Sequence, residues 1–372
     1  MPEGKARECR CFQSPSRYMQ GPGLVKRLPK FAANFGPAAM LIIDPALYDE
    51  FAESVPKMFE EAGMRAYAVK FPGYSGHKEL ADMLEYVKTL PEVPDTFIGM
   101  GGGQTVDINK AVAAKLRKNW ISFSTALTTD APTLSHTIIN NPGAQNEIMF
   151  HYKNPDFVVV DTEVTIKAPA WMLVSGIGDA LATYFEAEAS FKNNNVCNSG
   201  LDDYRPTLLG LSTAKLCCDV LLKEGVAAVR AANNHLRTPV YEDVVEAVTL
   251  LSGVGCENTG FSVAHGLQAA FPAALPKHFP HGIGVGYCTL VQLVLENHEM
   301  FEEVFEFCKA VGLPVCTADL EVPADKRDEI VQALVDEVYG RRWQVTNVPF
   351  IYEKSSLVDS IKYLDAYAEE HK

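Results

Sequence analysis

Two groups of residues in this chain have the types and spacing to do chemistry. The first is Gly101-Gly102-Gly103-Gln104-Thr105-Val106-Asp107, which follows the apolar run Thr96-Phe97-Ile98-Gly99-Met100 and precedes the helix-like stretch Asn109-Lys110-Ala111-Val112-Ala113-Ala114-Lys115. A strand that turns through glycines into a helix offers bare backbone N–H groups at a positive helix end, which suits a phosphate or pyrophosphate. The third glycine of G-x-G-x-x-G is missing, and so is the Gly-Lys-Ser/Thr of a P-loop. The loop therefore points to a nucleotide without naming one, and a plain glycine turn fits the same spacing. The second group lies further along the chain. Asp179 sits inside the apolar segment Ile177-Gly178-Asp179-Ala180-Leu181, where a carboxylate is costly unless something positive meets it. His265 lies in the mostly apolar Phe261–Leu267 stretch, and His281 lies in Pro280-His281-Gly282 at the entry to another helix. One carboxylate and two imidazoles are a common catalytic set for a divalent metal, with a position left open for substrate. A core aspartate bonded to backbone and two satisfied core histidines explain the same residues, and His278 competes with His281 for the third place.

The elements that must position these residues differ in texture along the chain. Up to Asp161, short apolar runs alternate with helical stretches, which is the α/β pattern. Strands are expected at Ala38–Ile43, Ala66–Phe71, Thr96–Met100, Trp120–Ser124 and Phe157–Asp161, in a mostly parallel sheet covered on both faces. After Pro169, the spacing of Leu173, Ile177, Leu181 and Tyr184 predicts an amphipathic helix that the proline opens. Further helices are expected over 207–232, 241–255, 283–296, 299–311 and 325–339, with almost no strand signal. The junction falls near residues 162–169, and the cleft between the halves is the expected place for a site.

At 372 residues the chain is long enough for two domains, each with its own core. Its 33 Lys+Arg against 47 Asp+Glu leave a formal charge of −14, a field that repels nucleic acid and anionic lipid, so neither is expected as a partner. No apolar run approaches the ~20 residues of a membrane span. The opening residues have no apolar h-region of a secretory signal. Nine cysteines, an odd count without metal-type pairing, agree with reduced thiols and a cytoplasmic location.

Several stretches occur together in one order: Ser14-Pro15-Ser16-Arg17-Tyr18-Met19-Gln20-Gly21, the glycine loop, Thr128-Thr129-Asp130-Ala131-Pro132-Thr133, Asn154-Pro155-Asp156, Gly176–Thr183, Ala264-His265-Gly266 and Pro280-His281-Gly282. On these the chain resembles the metal-dependent (iron-type) alcohol dehydrogenase family, on its glycerol dehydrogenase branch, over nearly its whole length. The resemblance implies a dehydroquinate synthase-like fold: a Rossmann-like, NAD-binding α/β domain over 1–163, then an all-α, metal- and substrate-binding domain over 164–372. It implies Asp179, His265 and His281 as metal ligands that also meet the substrate. Iron-using relatives carry another His four residues after the aspartate, where this chain has Thr183, so zinc is the expected metal, with iron using the same ligand types. The resemblance further implies that Gly101, Gly102, Gly103, Gln104 and Thr105 cradle the pyrophosphate and that Asp44 holds the adenine ribose, favouring NAD over NADP. It sets Thr125, Ala126, Leu127 and Thr128 along the cofactor, with Leu134, His136 and Asn140 near the nicotinamide. Asp130 is the expected catalytic and substrate-binding acid, contacting a small polyol. A turn former explains Asp130, and a helix cap Asp44, on residue type alone. A homo-oligomer is expected.

The chain also departs from the family. Gln104 stands where a lysine is usual, and Leu134, His136 and Asn140 where Ser, Leu and Tyr are frequent. Gln268 replaces a second histidine, and Ile283-Gly284 a Glu-Lys pair. The expected reaction is NAD-dependent oxidation of a small polyol, glycerol to dihydroxyacetone, at a metal-activated hydroxyl. The alternatives are a glycerol-1-phosphate dehydrogenase or dehydroquinate-synthase-like enzyme, which needs a basic phosphate pocket not evident here, and a non-catalytic NAD-binding relative.

Overall fold

The computed structural model describes residues 9–141, 146–200, 204–340 and 342–371. The chain groups into two units. One is Gln13–Pro169 with His235–Arg237; the other is Ala170–Asn234 and the chain from Thr238 onward, with the segment ending at Phe12.

The first unit is built on eight strands: β1 (Tyr18–Gly21), β2 (Ala38–Ile43), β3 (Arg65–Lys70), β4 (Thr96–Gly101), β5 (Asn119–Ser124), β6 (His136–Ile139), β7 (Glu147–Phe150) and β8 (Phe157–Asp161). Six form one sheet in the order β1-β8-β5-β4-β2-β3, and every pairing in it is parallel. β2, β4 and β8 are buried along their whole length, so they read as continuous apolar runs rather than alternating ones. The period of two is still present in the packing. Leu41, Ile98 and Ile121 are in register and join the core on one face, while Met40, Phe97 and Trp120 are in register and join the core on the other. The edge strand β3 begins and ends on exposed Arg65 and Lys70, charges that discourage further pairing at an edge. β6 and β7 make a separate antiparallel pair.

The topology places the ligand-facing crevice. From β2 the chain runs outward to β3, then returns to the other side of β2 as β4 and continues to β5 and β8. The order reverses between β2 and β4, and ligands of such sheets bind beyond the carboxyl ends of the strands at that point. Asp44 ends β2 and Gly101–Gly103 ends β4, with Asp44 N donating to Met100 O at 2.8 Å. The helix Gly103–Lys115 follows at once, and its buried Asn109 donates from Nδ2 to Phe97 O at 3.4 Å and Ile121 O at 3.3 Å, tying it to β4 and β5.

The second unit is helical. Its longest helices are Ala170–Lys192, Leu208–Asn233, His281–Leu295 and Lys354–Glu370. The run expected over 241–255 is helical throughout, as Pro239–Glu246, a wider turn over Ala247–Leu251, and Ser252–Glu257. Starts follow local chemistry: Thr207 Oγ1 accepts from Gly210 N at 3.0 Å, and Thr238 Oγ1 caps the next helix, which opens on Pro239. Among the described residues no helix is long and apolar enough to cross a membrane.

One buried histidine, His136, and one half-buried, His151, are expected to make the α/β unit acid-sensitive. Burial, with Lys110 nearby, lowers the pKa of both His136 and His151 from 6.5 to about 3. The unfolded chain takes up these protons near pH 6.5 and the folded chain does not, so stability falls as pH drops through that window, by up to about 1.4 kcal/mol per pH unit for each ring. His151→Phe, which keeps an aromatic ring edge-on to Trp120, is expected to give a shallower loss of urea midpoint between pH 6.5 and about 5, where most carboxylates remain ionised. An unchanged slope would count against the buried-neutral assignment.

Candidate functional site

In the α/β unit the glycine loop excludes a side chain at its first glycine and leaves room at its second. A Cβ on Gly101 would lie 2.5 Å from the Thr105 side chain, while one on Gly102 would meet nothing nearer than Ala126 Cβ at 3.7 Å and Thr128 Oγ1 at 4.0 Å. Gly102 thus presents bare backbone, and residues 126–128 lie against it. Thr125 N donates to Gly101 O at 3.1 Å, and Leu127 is buried beneath. The Asp44 carboxylate is half-buried; it accepts from Ala46 N at 3.0 Å and from Thr105 Oγ1 at 3.2 Å. A strand-end acid and the glycine loop of the neighbouring strand are therefore joined through Thr105.

Gln104, where a lysine is usual, is exposed, and its Oε1 accepts from Ser75 N at 3.2 Å. Ser75 in turn receives Asn140 Nδ2 at 2.6 Å and donates to Ile138 O at 3.1 Å. Two of the departures from the family pattern, Gln104 and Asn140, are thus bonded to the same serine. Leu134 is buried and His136 lies in β6 with its ring buried edge-on to Phe150. With its pKa near 3, that imidazole is neutral at physiological pH.

The segment carrying Asp130 is anchored from beneath by a buried lysine. Lys110 is fully buried and pairs with Asp107 Oδ1 at 2.8 Å. It also donates to Ala131 O at 2.9 Å, Leu134 O at 3.4 Å and His136 O. Asp107 Oδ2 accepts from Ile138 N at 3.1 Å. A buried charge is tolerable only when paired and hydrogen-bonded, and here the partners are the backbone of 131–138. Asp130 itself is buried, with its carbonyl accepting from Thr133 N at 3.0 Å in a tight turn. The trace this anchor leaves in the sequence is the Asp107-x-x-Lys110 spacing, which brings the two charges to one face of the helix.

In the helical unit Asp179, His265 and His281 come together, each offering one ligand atom within 4.8 Å of the others, the one such group among the described residues. His265 Nε2 lies 3.4 Å and His281 Nε2 3.2 Å from the same Asp179 Oδ1. The close approach depends on glycines. A Cβ on Gly178 would strike the Gly282 carbonyl, and one on Gly282 would strike the Ser175 carbonyl. These glycines adjoin Asp179 and His281, so the helices Ala170–Lys192 and His281–Leu295 touch at the backbone where they carry these two residues. Side-chain exposure rises across the group, from 4% at Asp179 to 17% at His265 and 43% at His281.

The charges of the group are coupled. Burial disfavours the Asp179 carboxylate, yet His281 and His265 outweigh it and hold its pKa well below the usual value. Burial likewise opposes a charged His265, but the carboxylates of Glu186 and Asp179 raise its pKa to about 10. One carboxylate oxygen and two imidazole nitrogens converging on one point fit a divalent metal of the zinc type. His278 is exposed and stands outside the group. Thr183, one turn beyond Asp179, is buried with its Oγ1 at 3.0 Å from Ser252 Oγ. Gln268 lies against Gly284, whose Cβ would come 3.0 Å from its Cγ. Neither belongs to the donor set. Glu186, two turns beyond Asp179 and buried, was not anticipated from the sequence.

Comparison with known proteins agrees with this arrangement. A profile of the iron-containing alcohol dehydrogenases matches residues 19–169. The glycerol dehydrogenase of Citrobacter freundii is 33% identical over 363 residues, covering 96% of this chain and 98% of that one. The glycolaldehyde reductase of Halobacterium salinarum is 35% identical over 336 residues, 88% of this chain and 90% of that one. The crystal structure of a probable glycerol dehydrogenase from Sinorhizobium meliloti superposes with a TM-score of 0.89 at 31% identity, covering 97% of this chain and all of that one (100%). Likeness at that level runs through both units, the parallel sheet with its glycine loop and the helices that carry Asp179, His265 and His281, and the chain belongs to the iron-containing alcohol dehydrogenase family.

Proposed function

We propose that this protein oxidises a small polyol, glycerol to dihydroxyacetone, with NAD bound by the α/β unit and a divalent metal and the substrate bound by the helical unit. The observation that carries the reading is the convergence of His265 Nε2 and His281 Nε2 on one Asp179 oxygen. A bound divalent cation supplies Lewis acidity that lowers the pKa of a substrate hydroxyl, and NAD supplies the hydride acceptor. Asp179, His265 and His281 would hold the cation. With Thr183 engaged by Ser252, three protein donors suit zinc, and iron accepts the same donor types.

The remaining residues bind and orient. The N–H groups opening the Gly103–Lys115 helix donate to the pyrophosphate across the bare Gly102. Asp44, steadied by Thr105, accepts from the adenine ribose hydroxyls and repels a 2′-phosphate. Thr125 to Thr128 would line the cofactor, with Leu134, His136 and Asn140 as uncharged neighbours near the nicotinamide. Asp130 accepts hydrogen bonds from the polyol hydroxyls that the metal does not take. The same reading makes the protein a cytoplasmic homo-oligomer.

His281→Ala is expected to lose the cation, measured by elemental analysis, and to lose turnover while NAD binding persists. Retention of one cation per chain would end the ligand assignment. Asp44→Ala is expected to narrow the preference for NAD over NADP in kcat/KM; a wild type that uses NADP equally well would remove Asp44 from the ribose.

Asp130→Asn is expected to raise KM for glycerol more than for NAD, because its carboxylate accepts from hydroxyls and repels a charged substrate. In a panel of glycerol, 1,2-propanediol, glycolaldehyde, 2-propanol and glycerol 1-phosphate, 2-propanol should be turned over poorly, since binding energy from a second hydroxyl positions the reacting carbon. A preference for glycerol 1-phosphate would favour the phosphate-using alternative, and no turnover of any member with metal and NAD present would favour a non-catalytic relative.

A further inference from the structure

Glu186 lies on the same helix as Asp179, 1% exposed. Its Oε1 accepts from two backbone groups, Ser262 N at 2.8 Å and His265 N at 2.9 Å, and its Oε2 faces His265 Nδ1 at 2.5 Å. Gln292 Oε1 takes Ala264 N at 3.0 Å. The start of the short Val263–Gln268 helix is thus held by two side chains from neighbouring helices. Capping alone explains one oxygen of Glu186. The other oxygen meets the ring of a metal donor.

That second contact decides the state of the ring. A carboxylate only accepts, so His265 carries a proton on Nδ1, and Nε2, the atom that faces Asp179 Oδ1, is the nitrogen left to meet a cation once the cation displaces its proton. We propose that Glu186 is a positioning residue for the metal: it holds His265 in the Nδ1–H form, aims Nε2 into the donor group and strengthens it as a ligand. The proposal rests on the metal reading given above. Outer partners of this kind are typically worth 10–100-fold in metal affinity.

Glu186→Gln separates the two roles. The amide keeps a carbonyl oxygen for Ser262 N and His265 N but turns a donor toward Nδ1. Metal-free protein would be titrated with Zn2+ against a chromophoric chelator, its thermal unfolding recorded without metal, and the visible spectrum of the Co2+ form compared with wild type. The expected result is a 10–100-fold weaker affinity, altered Co2+ bands and near-unchanged unfolding of the metal-free protein. Dependence through His265 is checked in the His265→Ala background, where E186Q is expected to change affinity by less than about twofold. Wild-type affinity and spectrum in E186Q, or an equal loss in the His265→Ala background, would overturn the proposal. A wild type that takes up no metal would instead overturn the metal reading, and this proposal with it. Should E186Q not fold, Glu186→Asp, which withdraws the carboxylate by one methylene, decides: weakened binding supports the role and undiminished binding rejects it.

Discussion

No side chain fits where the Ala170–Lys192 helix meets the His281–Leu295 helix, and the donor group depends on that restriction. Gly178 faces the Gly282 carbonyl and Gly282 faces the Ser175 carbonyl, so the two backbones touch. A larger residue at either place would push the two backbones apart, and with them Asp179 and His281, whose facing atoms lie 3.2 Å apart. Interiors are close-packed and transmit such displacements instead of absorbing them. The chemistry of Asp179 and His281 is therefore set by the residues beside them, which carry no chemistry of their own.

A comparable economy governs the α/β unit. A fully parallel sheet needs both faces covered, and its strands become uniformly apolar in consequence. Polar function is displaced to the strand ends, where Asp44 and Gly101–Gly103 meet at the reversal of strand order. Lys110 then extends control to a segment with little regular structure, binding the carbonyls of Ala131, Leu134 and His136 from below. The segment that carries Asp130 has no ladder to fix it, and a buried ammonium with three carbonyl acceptors serves in place of one.

Much of this was legible in the residues. Continuous apolar runs marked β2, β4, β5 and β8, and the three-to-four spacing after Pro169 marked the helix Ala170–Lys192. The metal donors stood out because an acid and a histidine lay in apolar surroundings, but only folding could choose His281 over His278. Other features left weaker traces. β1 is four residues of mixed character that owe their state to pairing with β8, and β6 and β7 are short strands of ordinary composition. Lys354–Glu370 is amphipathic and was passed over among the charged residues of the C-terminal region. Glu186 resembles any acid on a helix until its neighbours are known, because its partners come from residues some eighty positions away.

The graded exposure of the three donors has a kinetic side. Asp179 is sealed in, His265 is shielded by Phe261, whose ring lies 4.4 Å from its own, and His281 is open to solvent. A cation held by such a set has one side from which water or a chelator can approach, and one ligand that can swing away while the other two stay in place. Exchange of a cation bound there would call first on the exposed His281 side chain at its helix start. Affinity and lifetime become separate properties, the first resting on the buried pair and the second on the freedom of His281.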